Sequence, residues 1–471
     1  KKTQELIQIP SVLDESSSSE DAPFGIKIKE ALDYMMNLAK EDGFETALDG
    51  GYAGHVNYGN KNGKIIGVLC HLDVVPEGTD WLYPPYAASI VDGKMYGRGT
   101  TDDKGPTMAA YFALKFIKDA GIKIKNQIRI IFGTDEETGW RGIAHYLQNF
   151  PMPDMGFAPD ASFPLIYGEK GRMSYDLTLN SWDDEDILVS ITGGERYNVV
   201  LEEVKAIVKK DLTKEFETYA KDNNLEYNVE VIDNLYHLTL KGKAAHAMEP
   251  HKGVNAGTHM CNFLKDYSNN QMVKYVADKH HLSHVCEKLG LDYEDYEMGP
   301  ITCNIGIMNI NKEATRVTLD LRYPVRYDTD NFNKKLEEIT SKFNISITDK
   351  TNKTPHYVSP EDDLVKLLYQ AYVKNTNDSV NKPFTIGGGT YASILERAVA
   401  FGMMMPDEEE LCHQRNEYLN LDTLFKDITY FVSDFKSRII QKGHEVTAIH
   451  SDKPSPHDYV KTNYKSFCFI D

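Results

Sequence analysis

Cysteine is scarce in this chain and follows no pattern: Cys70, Cys261, Cys286, Cys303, Cys412 and Cys468 are spread over 471 residues without a CxxC pair. That spacing argues against a disulfide framework or a zinc knuckle and for reduced thiols, so the cytoplasm is the expected compartment. No run of about 18 apolar residues is present, and no transmembrane helix is expected. The opening KKTQELIQIPSV lacks the apolar stretch of a signal peptide. Positive charge is in the minority, with 52 Lys and Arg against 71 Asp and Glu and a formal net charge of −19. Nucleic acid and anionic membranes are recognised by clustered cations, so neither is an expected partner and a small substrate is. The phosphate loop GxxxxGK[ST], the dinucleotide loop GxGxxG and the nucleophile elbow GxSxG are all missing, which removes the signals of nucleotide binding and serine hydrolysis. Low complexity is confined to ESSSSED (15–21), expected as a solvated loop.

What is there suits a large folded chain. With 41% hydrophobic and 26% charged residues it can bury an extensive core and is expected to divide into two domains. Ile28, Ala31, Leu32, Met35, Met36 and Ala39 recur at helical spacing, and Gly43 marks the stop. KIIGVLCHLDVV (64–75) reads as a buried strand. Ala109, Phe112, Ala113, Phe116, Ile117 and Ala120 share a face of a second helix ending at Gly121, and IRIIF (128–132) is a second buried strand running into GTDEETG. Strand, helix and strand in that order predict an α/β sheet with crossover helices. YHLTLKG (236–242) and RVTLDLRYP (316–324) alternate apolar and polar residues, as half-exposed antiparallel strands do. Helical segments are expected between them and over 199–221, which together describe an inserted α+β module.

Open α/β sheets carry their sites at the carboxyl ends of strands. His71 and Asp73 close one strand, TDEETG (134–139) follows another, and MYGRGTTDDKGP (95–106) brings Asp102 and Asp103 to a loop entering a helix. Each has an ordinary explanation: a hydrogen-bonded loop histidine, a solvated turn, an N-cap. Together they resist it, because clustered carboxylates repel one another until a divalent cation with N and O ligands joins them. In the HxD pattern the aspartate can also accept the second imidazole N–H. KHHLSH (279–284) sets His280 and His284 four apart and is expected as a surface helix.

HLDVVP, YGRGTTDDKG, GTDEETG, GFAPDASFP and CHQRNEY resemble, in chain order, the signature segments of the metallopeptidase family M20. DDKGP, APDASFP and IGGGTY (386–391) are most similar to its unspecific dipeptidase branch, the PepV-type and Xaa-His (carnosinase-like) enzymes. The resemblance implies two divalent metal ions per chain, Zn2+ first, with Mn2+ or Co2+ also suited to such ligands. It assigns His71, Asp102 and Asp160 to one ion and Asp102, Glu137 and His413 to the other, so that Asp102 bridges. It further implies Glu136 as general base for a water between the metals, Asp73 as the carboxylate orienting His71, and a cis peptide between Asp102 and Asp103.

His246, in GKAAHAMEP, matches a family histidine that stabilises the developing oxyanion; its alternative is a capping or surface histidine. Arg322, in LDLRYP, and Asn198, in ERYNVV, resemble the family's substrate-binding set. A guanidinium fork suits a peptide carboxylate, although an arginine on that polar face could simply be solvated. Gly388 and Gly389 form either an ordinary turn or a loop whose backbone approaches the substrate.

Four assigned ligands precede residue 161 and the last is at 413. The expected architecture is therefore a zinc-exopeptidase-like catalytic domain with a mixed, mostly parallel sheet, from residues 1–170 and 384–443. An inserted α+β lid of 171–383 interrupts it, and an extension of unknown role spans 444–471. The implied activity is hydrolysis of dipeptides with a free N-terminus by a monomeric enzyme. The competing readings are an N-acyl-amino-acid deacylase or desuccinylase of the same family, and a non-catalytic metal-binding relic of the fold. A complete ligand set beside Glu136 argues against the relic, since binding alone does not use a base.

Overall fold

The computed structural model describes residues 1–435. Two compact units emerge, the first from residues 1–167, 357–384 and 389 onward, the second from 168–356 and 385–388. Residues 436–471, which include Cys468, the end of the expected catalytic domain and the expected extension, lie outside the described residues.

The first unit rests on α1 (Ile26–Glu41), β1 (Glu45–Asp49), β2 (Ala53–Gly59), β3 (Ile65–His71), α2 (Lys104–Asp119), β4 (Gln127–Gly133), β5 (Met155–Ala158), α3 (Asp363–Thr376), β6 (Ala398–Ala400) and α4 (Leu421–Phe435). Its sheet runs in the order β1-β2-β4-β3-β5-β6. β2 pairs antiparallel with β1 and β4, whereas β4, β3, β5 and β6 are mutually parallel. Strands buried on both faces read as continuous apolar runs, and β3 and β4 do. The periodic stripe of α1 is buried as its spacing predicts, from Ile28 to Ala39, and α2 packs against α4.

Register decides what the site receives. His71 lies opposite Gly133 across the parallel β3–β4 pair, so both strands end at the same level. β5 ends at Ala158, one strand over, just before Asp160. A Cβ at Gly133 would stand 2.6 Å from the Tyr391 ring, so only glycine lets β4 end there.

The second unit has its own core and an eight-stranded antiparallel sheet. The strands run in the order Glu226–Ile232, Leu235–Lys241, Glu203–Val208, Leu188–Gly193, Thr302–Asn311, Thr315–Tyr323, Gly171–Leu179, Ile345–Lys353. Helices Thr213–Asp222, Ala256–Leu264, Gln271–Lys279 and Thr329–Ser341 accompany it.

Three expectations are corrected. Residues 199–221 are not one helical segment: Glu203–Val208 is a strand, with Val204, Ala206 and Val208 buried in alternation, and the helix begins only at Thr213. The chain rejoins the first unit at 357 and not at 384. The reason is α3, whose Leu364, Val365, Leu368 and Tyr372 are buried in the first unit's core. KHHLSH is not a surface helix either, since the helix stops at Lys279 and His280 and His281 are buried.

Candidate metal centre

His71 is the last residue of β3, and its backbone N–H donates to Asp103 Oδ2 at 2.9 Å. Its side chain is buried. Nδ1 lies 3.1 Å from the Asp73 backbone oxygen, while Nε2 lies 3.1 Å from Asp102 Oδ1 and 3.3 Å from Asp160 Oδ2. A carbonyl can only accept, which assigns a proton to Nδ1. Neutral imidazole would then aim its Nε2 lone pair at two carboxylates. That arrangement calls for a second proton or a cation.

The other oxygen of Asp102 faces a second imidazole. His413 Nε2 is 2.9 Å from Asp102 Oδ2 and 3.1 Å from Glu137 Oε2. Glu137 Oε1 is buried with no hydrogen-bond partner. The Asp102–Asp103 peptide is cis, as the resemblance implies.

Electrostatics describe a site short of positive charge. Burial, then repulsion from Asp102, pushes the Glu137 carboxyl up to about 7, and the same two causes raise Asp160. Burial likewise lifts Glu136 well above the usual carboxylate range. Asp102 goes the other way: burial opposes its charge, but hydrogen bonds from His413 and His71 hold it low. The imidazoles are drawn up against their own burial, His413 to about 11 by Asp102 and Glu137, and His71 by Asp102, Asp160 and Asp73. Protons thus stand where cations could.

The donor set fits. Ligand atoms bound at about 2.1 Å around one ion sit roughly 3–3.5 Å apart, close to the separations seen here. His71, Asp102 and Glu137 each offer an atom within 4.8 Å of the other two and could hold a metal ion. His413 and Asp160 extend that group on either side.

Three further residues shape the site, of which Glu417 and Tyr391 do not stand out in the motifs. Glu417 is fully buried and binds the loop carrying Asp102: its Oε1 accepts from Thr101 N–H (2.8 Å) and Thr101 Oγ1 (3.0 Å), its Oε2 from Arg98 Nη1 (2.7 Å) and Gly99 N–H (3.2 Å). Asp103 Oδ2 accepts from His71 N–H and from Thr107 Oγ1. The Tyr391 ring stands edge-on to His71, 6.0 Å between centroids, with its hydroxyl buried and unpartnered. Asp73 also does more than expected of an orienting carboxylate, because its two oxygens accept from the backbone N–H groups of Glu136 (3.1 Å) and Glu137 (3.0 Å). An acidic residue four positions after His413 was the available signal for Glu417; nothing local marks Tyr391.

The sequence profile of Peptidase family M20/M25/M40 matches residues 67–433, most of the chain. The chain belongs to this family. It is a peptide hydrolase. Proteins named "Putative dipeptidase" are 40% identical in Staphylococcus epidermidis, covering 91% of this chain and 94% of that one, and 38% identical in Staphylococcus haemolyticus, covering 93% and 96%. The solved aminoacylhistidine dipeptidase of Vibrio alginolyticus shares the fold, with a TM-score of 0.56 and 13% identity over 95% of this chain and 96% of that one. The M20/M25/M40 peptidase is a mixed α/β protein of that fold, and its cluster at His71 is a possible metal site for a metal-dependent family. Among the described residues no helix is long and apolar enough to cross a membrane.

Of the remaining sequence candidates of the M20 chain, Asn198, His246, Arg322 and Gly388 belong to the second unit and Gly389 to the first. Asn198 and His246 are carried by neighbouring segments, joined where Ala247 N–H donates to the Asn198 carbonyl at 2.9 Å. His246 is exposed, and its Nδ1 accepts from Met248 N–H at 3.1 Å. Arg322 is not solvated: it is 6% exposed, with Nε donating to Asp320 Oδ1 at 2.8 Å and Nη1 to the Gly387 carbonyl at 3.4 Å. A Cβ at 388 would meet only Ile386 Cδ1, at 3.7 Å.

Proposed function

We propose that this peptidase is a two-metal dipeptidase acting on dipeptides with a free N-terminus. One observation carries the reading: the two carboxylate oxygens of Asp102 face two different imidazoles, His71 and His413, each with one further carboxylate, Asp160 or Glu137, beside it. His71, Asp102 and Asp160 would hold one ion, and Asp102, Glu137 and His413 the other. Zn2+ suits this donor set, and Mn2+ or Co2+ would also be accepted. When bound, the ions supply Lewis acidity, polarising the scissile carbonyl and making water acidic enough to lose a proton near neutral pH.

The chain's own residues do the rest. Glu136, placed by its backbone bond to Asp73, takes the proton from the attacking water and returns it to the leaving amine. Asp73 fixes both Glu136 and Glu137 through their amides and supports His71. In the second unit, read as the substrate-binding lid, His246 donates to the developing oxyanion. Arg322, pre-oriented by Asp320, offers its remaining donors to the substrate carboxylate together with Asn198. Nothing in the second unit itself demands glycine at 388, which supports a place for Gly388, with Gly389, beside the substrate backbone. The names of the staphylococcal relatives support a dipeptide substrate. The acidic charge and five free cysteines among the described residues support a cytoplasmic enzyme, which we read as a monomer.

A substrate screen tests the proposal. Purified protein should carry close to two divalent ions, hydrolyse a dipeptide panel that includes β-alanyl-histidine, and lose activity on chelation. Hydrolysis of N-acetyl or N-succinyl amino acids with dipeptides untouched would replace the reading with a deacylase.

A further inference from the structure

In the second unit the buried end of the helix Gln271–Lys279 gathers groups that peptide hydrolysis does not use. His280 caps that helix, 5% exposed, with Nε2 3.0 Å from the Tyr275 hydroxyl and Nδ1 3.8 Å from Cys303 Sγ. Cys303 sits in the strand Thr302–Asn311, and its backbone N–H donates to the His284 carbonyl at 2.9 Å, tying it to the segment that carries Cys286. Cys286, 1% exposed, lies two residues beyond His284 in the same core as Cys303, and each thiol perturbs the other's titration. Cys303 and His280 also line a cavity of about 280 Å³, whose wall includes His259, His284, Asn255 and Asn304.

A thiol between a second thiol and an imidazole differs from a merely buried one. The hydrogen bond from Cys286 and then that from His280 draw Cys303 down to about 5 against its own burial, while Cys286 is raised. Glu287 opposes the shift, and His284, Tyr275, Tyr175, Tyr327 and Asp320 complete the ionisable groups that feel Cys303. Cys261 provides the contrast within the same core: its Sγ hydrogen-bonds to Met308 Sδ, at 3.9 Å, and burial pushes its thiol up. The thiolate is the attacking species in exchange, and a low-pKa cysteine paired with a second one has both an attacking and a resolving sulfur.

We propose that Cys303 and Cys286 form a thiol–disulfide exchange site that accepts small disulfides at the cavity and closes to an intrachain disulfide. Cys303 gives its proton to His280 and as the thiolate attacks one sulfur of the small disulfide; the S–S bond breaks, one small thiolate leaves and takes up that proton, and a mixed disulfide remains on Cys303. Cys286 then attacks the Cys303 sulfur and loses its proton in doing so. The second small thiol departs with that proton. Two electrons move from the cysteine pair to the small disulfide, which ends as two thiols.

The test uses the full chain, reduced, desalted and treated with oxidised glutathione at neutral pH. Mass spectrometry should find the loss of two hydrogens, a Cys286–Cys303 cross-linked peptide and no retained glutathione. Cys286→Ser should instead retain one glutathione on Cys303, and His280→Gln should slow the exchange. In the unmutated protein, competitive alkylation should label Cys303 at least about tenfold faster than Cys261. Labelling of Cys303 no faster than Cys261, or glutathione uptake unchanged in Cys303→Ser, would overturn the proposal.

Discussion

Asp102 gives one oxygen to each of two histidines that arrive from distant parts of the chain, and everything near it is arranged to keep it there. His71 comes at the end of a strand and His413 from a loop residue with φ of 64°. Glu136 is the proposed base and is assigned no metal, so removing its charge separates chemistry from binding. Glu136→Gln is expected to lower kcat on a dipeptide by about 10²–10⁴ while metal content by elemental analysis stays unchanged. His71→Ala should reduce the metal content itself. A near-normal rate in Glu136→Gln would remove the general base from the mechanism.

Glu417 makes a second residue-scale prediction. Its carboxylate faces donors only, so an amide of the same shape must turn its NH2 toward either Thr101 or Arg98. Glu417→Gln should weaken metal affinity by about 10–100-fold, the usual cost of disturbing an outer partner. Calorimetric titration with Zn2+ checks this, and an unchanged affinity with a lowered Tm would leave Glu417 a purely structural residue.

At the scale of elements, α3 shows how an apolar stripe decides membership. Its buried residues lie in the core of the first unit although the helix falls between the two stretches, 168–356 and 385–388, that form the second. Leu368→Ala should cost about 2–5 kcal/mol. Hydrogen exchange should report the loss in β3 and β4 and leave the strand Thr302–Asn311 protected; loss in the latter would place α3 with the second unit.

The same scale shows what could be read beforehand. α1, β3, α2 and β4 follow from periodicity because each buries a complete face or both faces, and the motifs at their ends deliver His71, Asp102 and Glu137 to one edge. The strand Glu203–Val208 escapes that reading because Val204, Ala206, Ile207 and Val208 beside Glu203 and Lys205 fit helix and strand alike until Leu235–Lys241 and Leu188–Gly193 are seen to flank it. Arg322 and Glu417 were legible as residues but not in their partners, since Asp320 is two positions away on the same strand and Arg98 is 319 residues away from Glu417. Burial of His280 likewise depended on a helix ending one turn earlier than its pattern suggested.

At the scale of the whole molecule, buried neutral histidines that are not part of the metal cluster tie stability to pH. His55, on β2, is 3% exposed and shares a 2.8 Å hydrogen bond with the Tyr146 hydroxyl; burial, then the Arg129 charge, lowers it to about 3. His281 of the second unit is lowered by burial, then by His259, to about 4. An unfolded histidine titrates near 6.5. Above that value both states are neutral and the stabilisation is complete. Between about 6.5 and the folded value the unfolded chain holds a proton that the native chain does not. Each pH unit lost in that window therefore removes up to about 1.4 kcal/mol per imidazole. The acid dependence of the metal ligands is common to wild type and variant, so the difference between them isolates His55. Urea unfolding of His55→Gln should give a stability that falls less steeply with acid than the wild type between pH 6 and pH 4, by up to about 1.4 kcal/mol per unit, and parallel curves would mean that His55 is protonated in the folded chain.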